Sequence, residues 1–235
     1  MVQTLRKLVT FDEFVAKYPD NTGKRYELHD GVIVEMSQPT GDHEEVVGFL
    51  AFEVTRECIR LNLPYFIPKT ALVKPPENES AYSPDVLILN RPNFINEPLW
   101  RKESTVSQAE SIPLVVEVVS QCVARVPRVE ASDEPVRVSS NWRDDYLKKA
   151  ADYEAVGIPE YWIVDYAALG GRRFIGNPKQ PTVSLYTLVD GEYQVSQFRG
   201  SDACGNPSGE RIISPLFPEL NLTPEQIFQA GGYPV

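Results

Sequence analysis

The sequence predicts one mixed α/β domain whose central sheet is built in the order helix, strand, strand, strand, helix, strand. Three observations point there. Two runs read as fully buried strands, Ser83-Pro-Asp-Val-Leu-Ile-Leu89 and Pro113-Leu-Val-Val-Glu-Val-Val119, each interrupted by one acid, Asp85 and Glu117. A helical pattern from Asn141 to Gly157 separates the second run from a third apolar stretch, Glu160 to Asp165. That strand–helix–strand order implies a crossover between parallel strands.

The remaining elements follow from local signals. Thr10-Phe-Asp-Glu13 is a capping-box pattern opening a short helix to about Lys17, closed by Pro19. Tyr26 to Met36 reads as a hairpin with Asp30-Gly31 as a type I′ turn. A longer helix is expected from about Asp42 to Asn62, with Val46, Leu50, Val54 and Cys58 on one stripe and Pro64 as its stop. Tyr65 to Lys74 reads as a strand in which Pro68 demands an edge position or a bend. Thr182 to Phe198, turning at Asp190-Gly191, is a second hairpin, and Thr223-Pro224 opens a final short helix. Gln121 to Ser140 and Ser201 to Glu210 lack periodicity and read as flexible loops. The expectation is a single domain over 1–235, with its core at about 42–165 and the hairpin and helix of 182–228 as an embellishment.

Composition bounds the class. A chain of 235 residues, 42% hydrophobic and 24% charged, has the make-up of a soluble domain with one sizeable core. The N-terminal residues hold no apolar signal core, and no run approaches a membrane span. Cys58, Cys122 and Cys204 are odd in number and lack CxxC spacing, so they read as reduced thiols of a cytoplasmic protein. The net charge of −10 opposes broad nucleic-acid binding. Basic residues are nonetheless concentrated locally, with Arg125, Arg128, Arg137, Arg143, Lys148 and Lys149 falling between Glu117 and the end of the helix. Neither a phosphate-cradling loop nor a dinucleotide fingerprint is present, and two histidines are too few for a persuasive Ser/His/Asp set.

An ionised carboxylate inside an apolar strand must be paired, protonated or bound to a metal. Asp85 and Glu117 each admit a structural ion pair as the plain reading. The helix supplies a third group. At about 100° per residue, Trp142, Tyr146, Tyr153 and Val156 share one side, and Lys149 projects from the middle of that stripe while Lys148 faces water. Lys149 either pairs with Asp145 one turn earlier or reaches the carboxylates on the strands beneath. An Asp, a Glu and a Lys meeting at strand ends suit metal-assisted phosphodiester hydrolysis. Mg²⁺ needs only one or two carboxylates beside phosphate oxygens and waters, and the Val118 carbonyl next to Glu117 can complete its shell. The lysine would position the attacking water or stabilise the transition state.

The same residues carry a resemblance. Ser83-Pro84-Asp85, Val116-Glu117-Val118-Val119-Ser120, and Asp145, Lys149, Tyr153, Gly157 followed by Glu160-Tyr161-Trp162-Ile163-Val164-Asp165 resemble the Uma-type restriction endonuclease family of the PD-(D/E)XK nuclease superfamily. Tyr26-Glu27-Leu28-His29-Asp30-Gly31, His43 and Phe217-Pro-Glu-Leu220 are similar to that family as well. The resemblance runs from about Phe11 to Asp165. It implies a restriction-endonuclease-like core with Asp85 and Glu117 as ligands of Mg²⁺, or alternatively Mn²⁺, and Lys149 as the motif's lysine moved from strand to helix. The usual strand position, two after Glu117, holds apolar Val119. Glu27 matches a family acid that approaches the metal, against a solvated hairpin carboxylate. His43 reads as a capping or surface histidine near a helix N-terminus, with contact to phosphate as the alternative.

The function expected from these readings is Mg²⁺-dependent cleavage of DNA by a homodimer in the cytoplasm, without membrane attachment. A non-catalytic module of the same fold that binds DNA or protein is the main alternative, and a hydrolase of a smaller phosphodiester is a third. The stretch 121–140 separating Glu117 from Lys149 is longer than the family resemblance leads one to expect.

Overall fold

Thr10 opens the first helix, α1 (Phe11–Ala16), by accepting from the Glu13 amide while the Glu13 side chain returns to the Thr10 amide. The structure, a computed structural model, describes residues 8–17, 24–120, 137–138, 142–201 and 208–233. Strands β1 (Arg25–His29) and β2 (Val32–Met36) form the first hairpin. Asp30 and Gly31 both take positive φ, +49° and +77°, as a two-residue type I′ turn requires. Helix α2 (Gly41–Arg60) is capped by the Thr40 hydroxyl and buries Val46, Leu50, Val54 and Cys58, the stripe read from the sequence.

The single strand expected over Tyr65 to Lys74 is instead two short pieces, β3 (Tyr65–Phe66) and β4 (Leu72–Val73), on either side of Pro68. Proline donates no ladder hydrogen bond, so the chain leaves the sheet there. Strand β5 (Val86–Asn90) begins three residues later than the run read from Ser83: Asp85 sits just ahead of the strand and is partly exposed rather than enclosed within it. The polar connection that follows holds α3 (Trp100–Glu103) and β6 (Thr105–Val106), which pairs with β4 in parallel. Strand β7 (Leu114–Val118) carries Glu117. Within 121–140 only β8 (Arg137–Val138) is described, parallel to β2; the rest of that stretch, with Arg125, Arg128 and Cys122, lies outside the described residues, as does Cys204.

The helix expected from 141 to 157 contains a π-helical segment, Asp144–Lys149, that passes into α4 (Ala150–Val156) and ends at Gly157 with φ +88°. Strand β9 (Glu160–Asp165), α5 (Arg172–Ile175), β10 (Thr182–Val189), β11 (Glu192–Phe198) and α6 (Pro224–Ala230) complete the chain. The main sheet has the order β11-β10-β9-β7-β5-β3, parallel at β7–β9 and antiparallel at the other pairs. The second hairpin is thus the outer part of the central sheet.

Alternation divides the sheet into two buried faces. Val86 and Ile88, Leu114, Val116 and Val118, and Trp162 and Val164 meet α2 and α6. Leu87 and Leu89, Val115 and Val119, and Tyr161 and Ile163 meet Tyr146 and Tyr153 of the crossover. Glu117 has the parity of Val115 and Val119, so it faces the crossover helix.

Phe217 and Leu220 are buried in the first of these faces. Phe217→Ala should therefore cost about 3–5 kcal/mol in chemical unfolding; a loss within a few tenths would show the C-terminal segment to be peripheral.

Candidate active site

Four elements deliver the acids to the C-terminal end of β7. On β1, period-2 alternation places Arg25, Glu27 and His29 on one face. The Leu28 amide donates to the Ala81 carbonyl at 2.9 Å, which seats β1 against the 79–83 loop. Glu27 Oε1 then accepts from the Ser83 amide at 3.0 Å, and Oε2 lies 2.8 Å from His29 Nε2. Two residues on, Asp85 Oδ2 accepts from the Val118 amide at 2.8 Å. The antiparallel register Val86↔Val116, extended by one residue, sets Asp85 opposite Glu117.

Lys149 stands at the centre. Its Nζ lies 3.0 Å from Glu117 Oε1, 3.3 Å from Glu27 Oε1 and 3.6 Å from Asp145 Oδ1, with the side chain only 1% exposed. Both readings of this lysine from the sequence are realised at once, because Asp145 joins the strand carboxylates instead of drawing Lys149 away to the surface. The π-helical segment widens the turn that carries both residues, and such segments recur at functional sites. Tyr161 fixes that segment to the sheet by donating to the Asp145 carbonyl at 3.0 Å, and the Tyr153 hydroxyl donates to Glu117 Oε1 at 3.0 Å.

Glu27 is wholly buried, not a solvated hairpin carboxylate. His43 is buried as well, neither a cap nor a surface group: its Nε2 lies 3.1 Å from the Val118 carbonyl oxygen and 3.4 Å from Asp85 Oδ2. Asp85, Glu117, Val118, His43, Asp145 and Lys149 all line one cleft, with Arg25 also in its wall, and its free volume is about 30 Å³. A volume of that size admits a water or a small ion.

The electrostatics follow from sharing one ammonium among several carboxylates. Burial opposes the charge on Lys149, but Glu117, Glu27 and Asp145 outweigh it and hold the ammonium well above its ordinary range. Burial works against Glu27 too, yet Lys149, His29 and the Ser83 amide bring its pKa down to about 2. Glu117 moves the other way: burial raises it, Lys149 opposes, and repulsion from Asp85, Asp145 and Glu27 adds to the rise. Both partners of the closest Lys149 pair thus shift upward, because burial penalises the Glu117 carboxylate and repulsion from Asp85, Asp145 and Glu27 adds to that penalty. Burial likewise raises Asp145, to about 7, against the pull of Lys149. For His43, burial is outweighed by Asp85 and the Val118 carbonyl, which favour the protonated ring.

These observations test whether a hard cation suits the site. The donors are carboxylate and carbonyl oxygens, and the acids outnumber the cations. Among the described residues no group of three His, Cys, Asp or Glu side chains forms a ready ligand shell. Mg²⁺ asks for less, since it keeps several waters and binds through one or two carboxylates. The residues fit such an ion.

Three participants went unassigned in the sequence reading. Asp145 belongs to the family-like pattern and reads as a local partner of Lys149, but carries no role at the site in the sequence reading. Tyr153 was assigned to packing, and Arg25 was not singled out. The signals were present, in the four-residue spacing of Asp145 and Lys149 and the two-residue spacing of Arg25 and Glu27.

The mixed sheet, its parallel β7–β9 pair and the carboxylate–lysine cluster beside it define a restriction-endonuclease-like fold. The chain belongs to the Uma2 family, described as "Putative restriction endonuclease", whose model matches residues 11–125 and 138–225. A crystal structure of a protein described as "a putative nuclease belonging to DUF820", from Anabaena variabilis ATCC 29413, superposes with a TM-score of 0.61 at 14% identity, covering 95% of this chain and 99% of that one. No curated protein matches the chain. No helix among the described residues is long and apolar enough to cross a membrane.

The raised Asp145 carboxyl has a consequence for stability. The folded chain holds this proton more tightly than the unfolded chain, so the stabilisation is complete below pH 3.8 and is lost as pH rises towards about 7. In chelator, the melting temperature should fall across that window, and Asp145→Asn should flatten the fall. An unchanged slope in Asp145→Asn would refute the assignment.

Proposed function

We propose that the protein is a Mg²⁺-dependent endonuclease-like phosphodiesterase that hydrolyses DNA. The observation that carries this reading is the buried Lys149 ammonium held between Glu117, Glu27 and Asp145 in a cleft that Asp85 also lines. Asp85, Glu117 and the Val118 carbonyl would hold the ion, with Mn²⁺ as a substitute. When bound, it would lower the pKa of a water and neutralise charge on the phosphate.

The chain's own groups divide the remaining work. Lys149 is held in the ammonium form, so it serves as a fixed positive charge facing the transition state rather than as a base. Tyr153 keeps Glu117 Oε1 oriented, and His29 with the Ser83 amide keeps Glu27 ionised and in place. His43 braces Asp85 and the Val118 carbonyl, the two groups between which its Nε2 lies. Action as a homodimer would let two such sites reach both strands where a duplex is locally opened. Membership in the Uma2 family and the likeness to a nuclease-described structure support the same reading.

The test combines calorimetric Mn²⁺ binding with cleavage of plasmid and single-stranded DNA in Mg²⁺ or Mn²⁺. Asp85→Ala should abolish both. Lys149→Ala should retain metal binding and lower the cleavage rate by about 10²–10³-fold, the loss typical of one electrostatic donor. A wild-type protein that neither binds Mn²⁺ nor cuts these substrates would remove the proposal.

A further inference from the structure

A second cavity, of about 460 Å³, opens beside the catalytic cleft and shares Arg25 with it. Ser83, whose amide holds Glu27, is also in its wall, so the two spaces meet along β1 and the start of the Ser83-Pro84-Asp85 turn. Its charge runs against the rest of the molecule. In a chain of net charge −10, the wall carries Lys24, Arg25 and Lys102 against one acid, Glu103. Lys24 pairs with Glu35 at 2.7 Å and is half exposed; Lys102 is exposed, and Arg25 is partly buried between the two spaces. The Thr70 and Ser104 hydroxyls are in the wall with apolar Ala71 and Leu72.

We propose that this cavity receives one unpaired nucleotide of the DNA strand next to the scissile phosphate, with Arg25 and Lys102 on its flanking phosphates. The inference rests on the nuclease reading and names the substrate that reading leaves open. Four features support it. The volume falls within the range of small-ligand sites and suits a single nucleotide, whereas a base pair would not enter a pocket of this kind. The cations supply the phosphate attraction that dominates nucleic-acid affinity. The apolar wall suits a base taken out of its stack. Arg25 stands two residues before Glu27 on the same face of β1, so a phosphate on Arg25 lies one step along the strand from the carboxylate cluster. The protein should accordingly prefer single-stranded DNA to duplex.

The test measures binding of a short fluorescein-labelled single-stranded DNA, and of its duplex, by anisotropy in Ca²⁺ across a salt series. Mn²⁺ binding is followed separately by calorimetry. Two substitutions at exposed positions probe the cavity: Lys102→Glu reverses a charge, and Thr70→Trp fills the space. Each should weaken single-strand binding about tenfold without changing Mn²⁺ affinity. Lys102→Glu should also lower the salt slope by about 1 or more, and the wild type should bind single strand more tightly than duplex. If both variants bind single strand like wild type while Mn²⁺ binding and cleavage persist, the nucleotide pocket is refuted and the nuclease reading stands. If both variants lose single-strand affinity in a protein that binds no metal, the pocket stands and the nuclease reading falls. If neither DNA binds, both fall.

Discussion

A single ammonium, Lys149, holds together acids that would otherwise repel one another in a buried space. It lies within 3.6 Å of Glu117, Glu27 and Asp145, and each of these arrives on a different element. Bringing an uncompensated carboxylate into the interior is costly, and removing one partner of a buried pair typically costs about 3–5 kcal/mol. The first hairpin, β7 and the π-helical segment are therefore coupled through one side chain. Aromatic packing surrounds the pair: Lys149 Nζ lies 5.7 Å from the centre of the Tyr82 ring, and Tyr82 meets Tyr153 edge-on at 5.8 Å.

Strand parity explains why the lysine sits on a helix. Val119 shares the face of Glu117 and is fully buried among apolar neighbours, so a charge at that strand position would have to displace core packing. The crossover helix lies over the same face. A lysine entering from above reaches Glu117 Oε1 while the strand keeps its valine. The parallel β7–β9 pairing requires a crossover of this kind, so the topology that makes the sheet also brings the cation to it.

Much of this arrangement was legible in the residues, for identifiable reasons. Asp85 and Glu117 stood out because an acid in an apolar run contradicts its surroundings, and Lys149 because it broke an amphipathic stripe. The turns at Asp30-Gly31 and Asp190-Gly191 were readable because positive φ restricts the choice of residue. Glu27 was harder to place: hairpin alternation says which face it shares, not whether that face is covered, and the cover comes from the 79–83 loop by long-range pairing. Asp145 was concealed by its own local explanation, since an i,i+4 ion pair with Lys149 needed nothing further. The division of the Tyr65–Lys74 run into two sheets depended on β6, whose two-residue length leaves no periodic signal. Volumes and shared walls, such as those around Arg25, arise only in three dimensions.

The excess of acid over base also constrains how the site comes together. Glu117 and Asp145 are raised and Glu27 is lowered, although all three face the same ammonium. Glu27 has additional donors in His29 and the Ser83 amide, so it keeps its charge, while the other two bear the repulsion. The cluster can relieve that repulsion by taking up protons or by taking up a cation. A divalent ion held by Asp85 and Glu117, as proposed, would offset that repulsion and leave Lys149 to Asp145 and Glu27. On the proposed reading, uptake of such an ion would release protons, and the affinity would rise with pH until the carboxyls are ionised.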